Sequence, residues 1–295
     1  MVVVSKEQMV TSCEGARLIQ GCCRVNARGY NVGQGLRARS AFTLIDLLVS
    51  IAVMAILIGI MLPSITSAHE AARRVACRSN VRQIGLGIVM YANDHDGRLP
   101  SSVFLDQSLF GGTTSSMITG EANSELTRMI ALRVAPGDPK LVSGGWDGLG
   151  HLHDQQYTNA PRVFYCPSHK GDNAFSRFAA TWAAGVQEIA GNYHYRGYGP
   201  TASRKFTNML YDIEPPSSAI LADAMQTRLE LNHKEGLNIF RADLSAEWFA
   251  DNRREVQDAL PDSKDNTAAN NARIAEAWRA FDEFDTTSAE PNSPP

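Results

Sequence analysis

Residues Phe42 to Leu62, FTLIDLLVSIAVMAILIGIML, form an apolar run of 21 residues with one charged member, Asp46. As a helix rising about 1.5 Å per residue the run spans roughly 31 Å, the thickness of a bilayer's hydrocarbon core. A cleaved secretory signal has an apolar region of only about 7–15 residues, so this length favours a membrane-spanning segment. An acid at the centre of such a helix costs about 2.5–3.5 kcal/mol, and less near an end. Asp46 therefore either reaches water at the membrane surface or meets a partner inside it.

Charge is divided along the chain. Residues 1–41 carry six basic and two acidic residues, a net +4, so the overall charge of −3 hides a body at −7. A basic leader before an acidic body argues against a nucleic-acid partner for the body. Arg37 and Arg39 directly precede the apolar run and place the N-terminus on the cytoplasmic side by the positive-inside tendency; Arg73, Arg74, Arg78 and Arg82 follow it.

The helical pattern outlasts the membrane. Ile65, Ala68, Ala72 and Val75, then Val81, Ile84, Ile88 and Tyr91, recur at three- and four-residue steps, with Glu70 and the four arginines between them as the wet face. The pattern predicts one helix from about Phe42 to Tyr91, bent at Pro63, where the ring and the missing N–H disturb the preceding turn. The turn-rich NDHDGRLP, Asn93 to Pro100, ends it.

The stretch RARSAFTLIDLLVSIAVMAILIGIMLP resembles the N-terminal signature of type IV pilins and type II secretion pseudopilins: a basic leader, a small residue, Phe-Thr-Leu-Ile-acid and an apolar helix. That resemblance implies a prepilin peptidase that cuts between Ala41 and Phe42. It also implies N-methylation of Phe42, and an Asp46 that faces the terminal amine of a neighbouring subunit. A buried carboxylate is tolerable when it meets an opposite charge. Two departures stand out: Ala41 where the family has Gly, and Asp46 where it has Glu. A second resemblance lies in CRSNVRQIGLGIVMYANDHDGRLP, FYCPS and HKEGLNIFRADLSAEWF, which look like pilin-like proteins of planctomycete-type bacteria with a C-terminal His-x9-Asp-Gly motif. His233 and Asp243 have that separation, and Leu244 stands where the Gly would be.

Beyond the helix the pattern predicts a single α+β head. ANSELTRMIALRV reads as a helix, RVFYCP as the end of a strand, and NAFSRFAATWAAGVQEIAGN as helical or irregular. YHYRGYG, FTNMLYDI and SSAILADA read as strands, and LNIFRA with SAEWF as a hairpin about Asp243 and Leu244. DNRREVQDAL and NNARIAEAWRAFDEF read as short surface helices, and DTTSAEPNSPP as a disordered tail with too little apolar surface to order. The expected layout is a leader at 1–41, a membrane segment at 42–63, the solvent half of the helix at 64–92, a head at 93–250 and polar C-terminal helices with the tail at 251–295. An antiparallel sheet is expected to pack on the solvent half of the long helix.

Candidate chemistry is sparse. Cys13, Cys22 and Cys23 lie in the leader; Cys77 and Cys166 remain, and outside the cytoplasm they are candidates for a disulfide. His151, His153 and Asp154 form a local cluster without a complete ligand set, so no residue is assigned to metal or other cofactor. His233 with Asp243 offers a general-base pair only if a hairpin brings them together. The function expected is structural and non-catalytic: a single-span subunit of the inner membrane with an extracytoplasmic head, assembling into a filament or a pseudopilus linked to type II secretion. Its expected partners are prepilin peptidase, other pilin or pseudopilin subunits, the assembly platform and membrane lipid. The alternatives are a non-polymerising envelope protein whose head binds a ligand or metal, and a membrane-anchored hydrolase.

Overall fold

Helix α1, Leu44–Asp94, is continuous through the apolar run and the amphipathic pattern after it. The structure, a computed structural model, describes residues 43–110, 123–140, 145–184, 187–203 and 205–287. The leader, the Ala41–Phe42 junction and the tail from 288 lie outside the described residues. The chain divides into two units, Met1–Ala55 and Ile56–Pro295. The helix stops where the turn residues predict: Asp96 and Gly97 take φ of 54° and 83°, and the Gly97 N–H donates to the Ala92 carbonyl at 2.8 Å. A left-handed residue after the last turn satisfies a carbonyl that would otherwise lack a partner.

Of the expected stripe on α1, the second half, Val81, Ile84, Ile88 and Tyr91, is buried as predicted, but the first half is not. Cys77, Val81, Ile84 and Ile88 are fully buried, whereas Ile65 and Val75 stay exposed. At 3.6 residues per turn, Ile65, Ala68, Ala72 and Val75 form a stripe on roughly the opposite side of the helix from Cys77, Val81, Ile84 and Ile88. Glu70 and Arg74 fall on the same side as Cys77, so two residues expected on the wet face instead reach the rest of the fold. The Glu70 carboxylate accepts from Ser168 Oγ at 3.0 Å, and the Arg74 guanidinium lies 4.0 Å over Trp248 and 2.8 Å from Glu235.

Four antiparallel strands form the main sheet in the order β3-β6-β7-β8: β3 Tyr193–Tyr195, β6 Ala219–Asp223, β7 Gly236–Arg241 and β8 Ala246–Ala250. Tyr193 pairs with Asp223, Ala222 with Ile239, and Asn238 with Trp248. Alternation sends Tyr193, Asp223, Asn238, Phe240 and Trp248 to one face, where α1 lies, and His194, Ile239 and Phe249 to the other. On the α1 face the approach is close. A Cβ on Gly85 would fall 2.3 Å from the Phe240 ring, so only a glycine lets the helix sit this near the strand.

The opposite face is covered by the chain's last helix. After α2 (Gly150–Asp154), α3 (Phe175–Ala184) and α4 (Glu255–Ala259) comes α5, Ala268–Thr287. Thr267 caps α5, its Oγ1 accepting from the Asn270 N–H at 3.2 Å. Trp278 and Phe281 are fully buried, with Trp278 5.9 Å from His194 and Phe281 4.9 Å from Phe249, centroid to centroid. The segment read as a polar surface helix thus supplies one wall of the core. Burial on both faces accounts for the unbroken apolar character of AILA in β6, where a sheet with one wet face would alternate.

Smaller pieces depart further from the sequence pattern. ANSELTRMIALRV forms a single 3-10 turn, Leu126–Arg128, and strand β1, Ala131–Arg133, which pairs with β2, Ile189–Ala190. Its helical spacing is overridden because Leu126, Ile130, Leu132 and Val134 all find cover in the extended path. RVFYCP begins as a 3-10 turn, Pro161–Phe164, with Pro161 fixing the first φ. Strands β4, Gly199–Pro200, and β5, Phe206–Thr207, form a separate two-stranded ladder.

The β7–β8 hairpin is present as expected, and it resolves the Leu244 departure. Leu244 adopts φ of 70°, its N–H bonds to the Arg241 carbonyl at 3.0 Å, and the Arg241 N–H bonds to the Ser245 carbonyl at 3.0 Å. This is a three-residue loop ending in a left-handed residue. A left-handed non-glycine residue is strained by about 1–2 kcal/mol. Leu244→Gly should therefore stabilise the protein by about 1 kcal/mol, and an unchanged or lower denaturation midpoint would contradict the strain.

Candidate functional site

Two parts of the molecule bring together residues with chemical potential, one marked in the sequence and one assembled only by the fold. The first is the start of α1. From Leu44 to Leu62 every large apolar side chain is exposed, and the helix is long and apolar enough to cross a membrane. Asp46 stands in its first turn. Its Oδ2 accepts from the Thr43 N–H at 3.1 Å while Thr43 Oγ1 accepts from the Asp46 N–H at 3.2 Å. That reciprocal pair is a capping box, which satisfies two of the donors a helix start leaves free. The local role of Asp46 is thus to begin the helix, a role its spacing from Thr43 encodes.

The second part is a buried cluster that the sequence did not reveal. Cys77 from α1, Cys166 from the loop after Phe164, Asp223 from the end of β6 and His233 from the loop before β7 each bring one donor atom to within 4.8 Å of the others. All four are buried. Cys77 Sγ donates to Asp223 Oδ1 at 2.8 Å and lies 3.3 Å from Tyr193 Oη. Cys166 Sγ is 3.5 Å from His233 Nε2, which is 3.7 Å from Asp223 Oδ2. The two thiols are free. Cys77 Sγ is engaged by Asp223 and Cys166 Sγ by His233, and no disulfide joins them.

Fixed dipoles and charges surround the four groups. His233 Nδ1 meets Glu70 Oε1 at 2.8 Å, so that nitrogen donates and Nε2 faces the cluster. Asp223 Oδ2 accepts from the Asn238 backbone N–H at 2.7 Å and from its side chain at 3.2 Å, leaving Oδ1 toward the sulfurs. Asn192 Oδ1 accepts from the Cys166 N–H at 2.6 Å and holds that loop. Burial alone would lower the His233 pKa, but the Cys166 hydrogen bond, the Asp223 charge and Glu70 raise it to about 9. Burial pushes Cys77 well up, reinforced by Cys166 and Asp223. For Cys166 burial acts upward too, yet hydrogen bonds from Cys77 and His233 outweigh it and lower the thiol. Burial raises Asp223 against the opposing pull of His233 and Asn238.

The other predicted residues do not assemble. His233 and Asp243 bracket β7, whose six extended residues hold its ends roughly 20 Å apart, and Asp243 Oδ1 instead accepts from the Ser245 N–H in the turn. They form no general-base pair. His151 and His153 sit on α2, but His153 Nδ1 meets the Thr158 carbonyl at 3.2 Å and its ring abuts Trp182 at 4.7 Å, while His151 lies against Tyr91. Among the described residues the set able to hold a metal is the Cys77, Cys166, Asp223 and His233 group, where the sequence reading assigned none. Asp223 was missed because an acid ending an apolar strand looks like an ordinary strand boundary. The available signal was an acid closing the unbroken apolar run AILA, a pattern of a strand covered on both faces, where a charged group is conspicuous.

Comparison with known proteins finds matches to part of the chain. Residues 66–124 match a family described as "Protein of unknown function (DUF1559)". The chain is 32% identical over 65 residues to the ComG operon protein 3 homolog of Bacillus licheniformis, a match that covers 22% of this chain and 67% of that relative. No solved structure matches the chain. With two thirds of that relative covered, the chain belongs to the pilin-like family of the ComG operon protein 3 homologs.

Proposed function

We propose that this protein is a pilin-like structural subunit, made as a precursor and assembled through α1 into a filament or short pseudopilus. The supporting observation is the combination, at one helix end, of a fully exposed apolar surface with a single acid, Asp46, in a chain of pilin-like kinship. In this reading prepilin peptidase cuts between Ala41 and Phe42, and the new Phe42 amine is methylated. The apolar run is held in the cytoplasmic membrane with the head outside, and Asp46 meets the terminal ammonium of a neighbouring subunit, a copy or a close relative. The assembly platform of a pilus or type II secretion machine would then draw subunits from the bilayer. Catalysis has no part in this reading.

Asp46 has a competing role as the helix cap, and variants separate the two. Thr43→Ala removes the reciprocal cap but leaves the carboxylate, whereas Asp46→Ala removes both. An ion pair at a membrane boundary lies between exposed pairs, worth about 0–1 kcal/mol, and buried ones, whose disruption costs about 3–5 kcal/mol. Asp46→Ala should thus weaken assembly about tenfold, read as crosslinked oligomer in membranes, while Asp46→Glu assembles and Thr43→Ala is nearly normal. Equal losses for Thr43→Ala and Asp46→Ala would reduce Asp46 to a cap. Recovery of a mature protein that still begins at Met1, from cells with an active prepilin peptidase, would remove the processing step.

A further inference from the structure

We propose that Cys77, Cys166, Asp223 and His233 constitute a buried, four-coordinate site for a divalent cation of the Zn2+ type, a structural metal centre that ties α1 to the sheet. Two thiolates, one imidazole and one carboxylate are the donor set that a borderline-soft cation prefers, and hard cations such as Mg2+ or Ca2+ do not take sulfur. Bond lengths of about 2.0–2.3 Å in a tetrahedron put ligand atoms roughly 3.3–3.8 Å apart. The separation of Cys166 Sγ from His233 Nε2, 3.5 Å, already falls there. The whole group lies within 4.8 Å, so the widest separation closes by about 1 Å.

The surroundings match what a metal site requires beyond its ligands. A ligating histidine needs its second nitrogen held by a carboxylate or carbonyl, and Glu70 does this for His233 at 2.8 Å. A ligating carboxylate needs its far oxygen bonded, and Asn238 does this twice for Asp223 Oδ2. Both supports aim the free atoms, Nε2 and Oδ1, inward. A cleft lined by Glu70, Arg74, Ser168, His233, Lys234 and Glu235 reaches the His233 side and provides an entry path. On binding, the cation replaces the thiol proton that Cys77 shares with Asp223 and the proton between Cys166 and His233, and these protons pass to solvent. With four protein ligands no position remains for water, so the centre is structural.

The test uses the full chain in detergent, purified with and without reductant, stripped with a chelator and reloaded with Zn2+ or Co2+ alone. Expected are one cation per chain, the d–d absorption of tetrahedral Co2+ with a thiolate charge-transfer band, and both thiols shielded from alkylation until chelator is added. Cys166→Ser should lose the charge-transfer intensity. Because a cysteine variant can fail to fold, Glu70→Gln provides a second arm: a chain with parental circular dichroism that binds Zn2+ about 10–100-fold more weakly. A Cys77–Cys166 disulfide in protein prepared without reductant would overturn the proposal. So would no uptake by the folded reduced chain, or octahedral Co2+ indifferent to Cys166→Ser. Each outcome is independent of whether α1 polymerises.

Discussion

Trp278→Ala is expected to destabilise the head by about 3–5 kcal/mol, the range for truncating a buried indole. The residue lies on α5 with none of its surface exposed. It packs edge-on to His194 and Phe281, and the Arg196 guanidinium stands 5.6 Å from its ring. That guanidinium is itself buried and held by Asp282 at 2.8 and 3.1 Å, one turn further along the same helix. Removing the indole leaves a cavity against the sheet and takes the apolar cover from a buried ion pair. Chemical denaturation gives the measurement. A loss under about 1 kcal/mol would mean that α5 is the surface helix its composition suggests, and that the sheet's second face is covered otherwise.

The second large effect is a pH dependence with opposing contributions. His194 Nε2–H donates to the Leu126 carbonyl at 2.8 Å inside the same core, and burial lowers its pKa from 6.5 to about 4. Between those values the unfolded chain binds a proton that the folded chain refuses. The contribution of His194 is therefore present above pH 6.5 and lost as pH falls to 4, about 3 kcal/mol in all. Asp147 acts the other way. It accepts from Ser102 Oγ at 2.7 Å and from the Val103 N–H at 2.8 Å, yet burial raises its pKa from 3.8 to about 6. The folded chain holds that proton longer, so stability falls as pH rises from 3.8 to 6, by a similar amount.

The two slopes nearly cancel in the parent over pH 4–6. His194→Gln keeps a donor for Leu126 and removes only the titration. The stability of the parent minus that of the variant should then rise by about 3 kcal/mol from pH 4 to pH 6.5, because every other titrating group contributes to both. Denaturation midpoints at five pH values settle the matter. Parallel curves for parent and variant would mean that His194 titrates normally and is therefore wetter than its packing against Trp278 implies.

Local patterns carried what they physically could. A 21-residue apolar run, the amphipathic spacing after it and the turn-rich NDHDGRLP are signals spoken by neighbours in sequence, and α1 follows them from Leu44 to Asp94. The β7–β8 hairpin was legible for the same reason, and the turn accepts Leu244 because a three-residue loop needs only one left-handed residue. Helical spacing failed at ANSELTRMIALRV because apolar residues at such intervals also suit a short strand when both sides are covered.

Only the tertiary structure decided which side of α1 faces the sheet, that α5 closes the far side, and that Cys77 meets Asp223 and Glu70 meets His233 across 146 and 163 residues of chain. Periodicity reports a stripe but not its partner, and two apolar stripes on one helix compete until a sheet exists to choose between them. The four donors gather because Gly85 lets α1 lie close on β7, and the register of β6 against β7 sets Asp223 beside Asn238. Such proximity is a consequence of packing, which no run of neighbouring residues encodes.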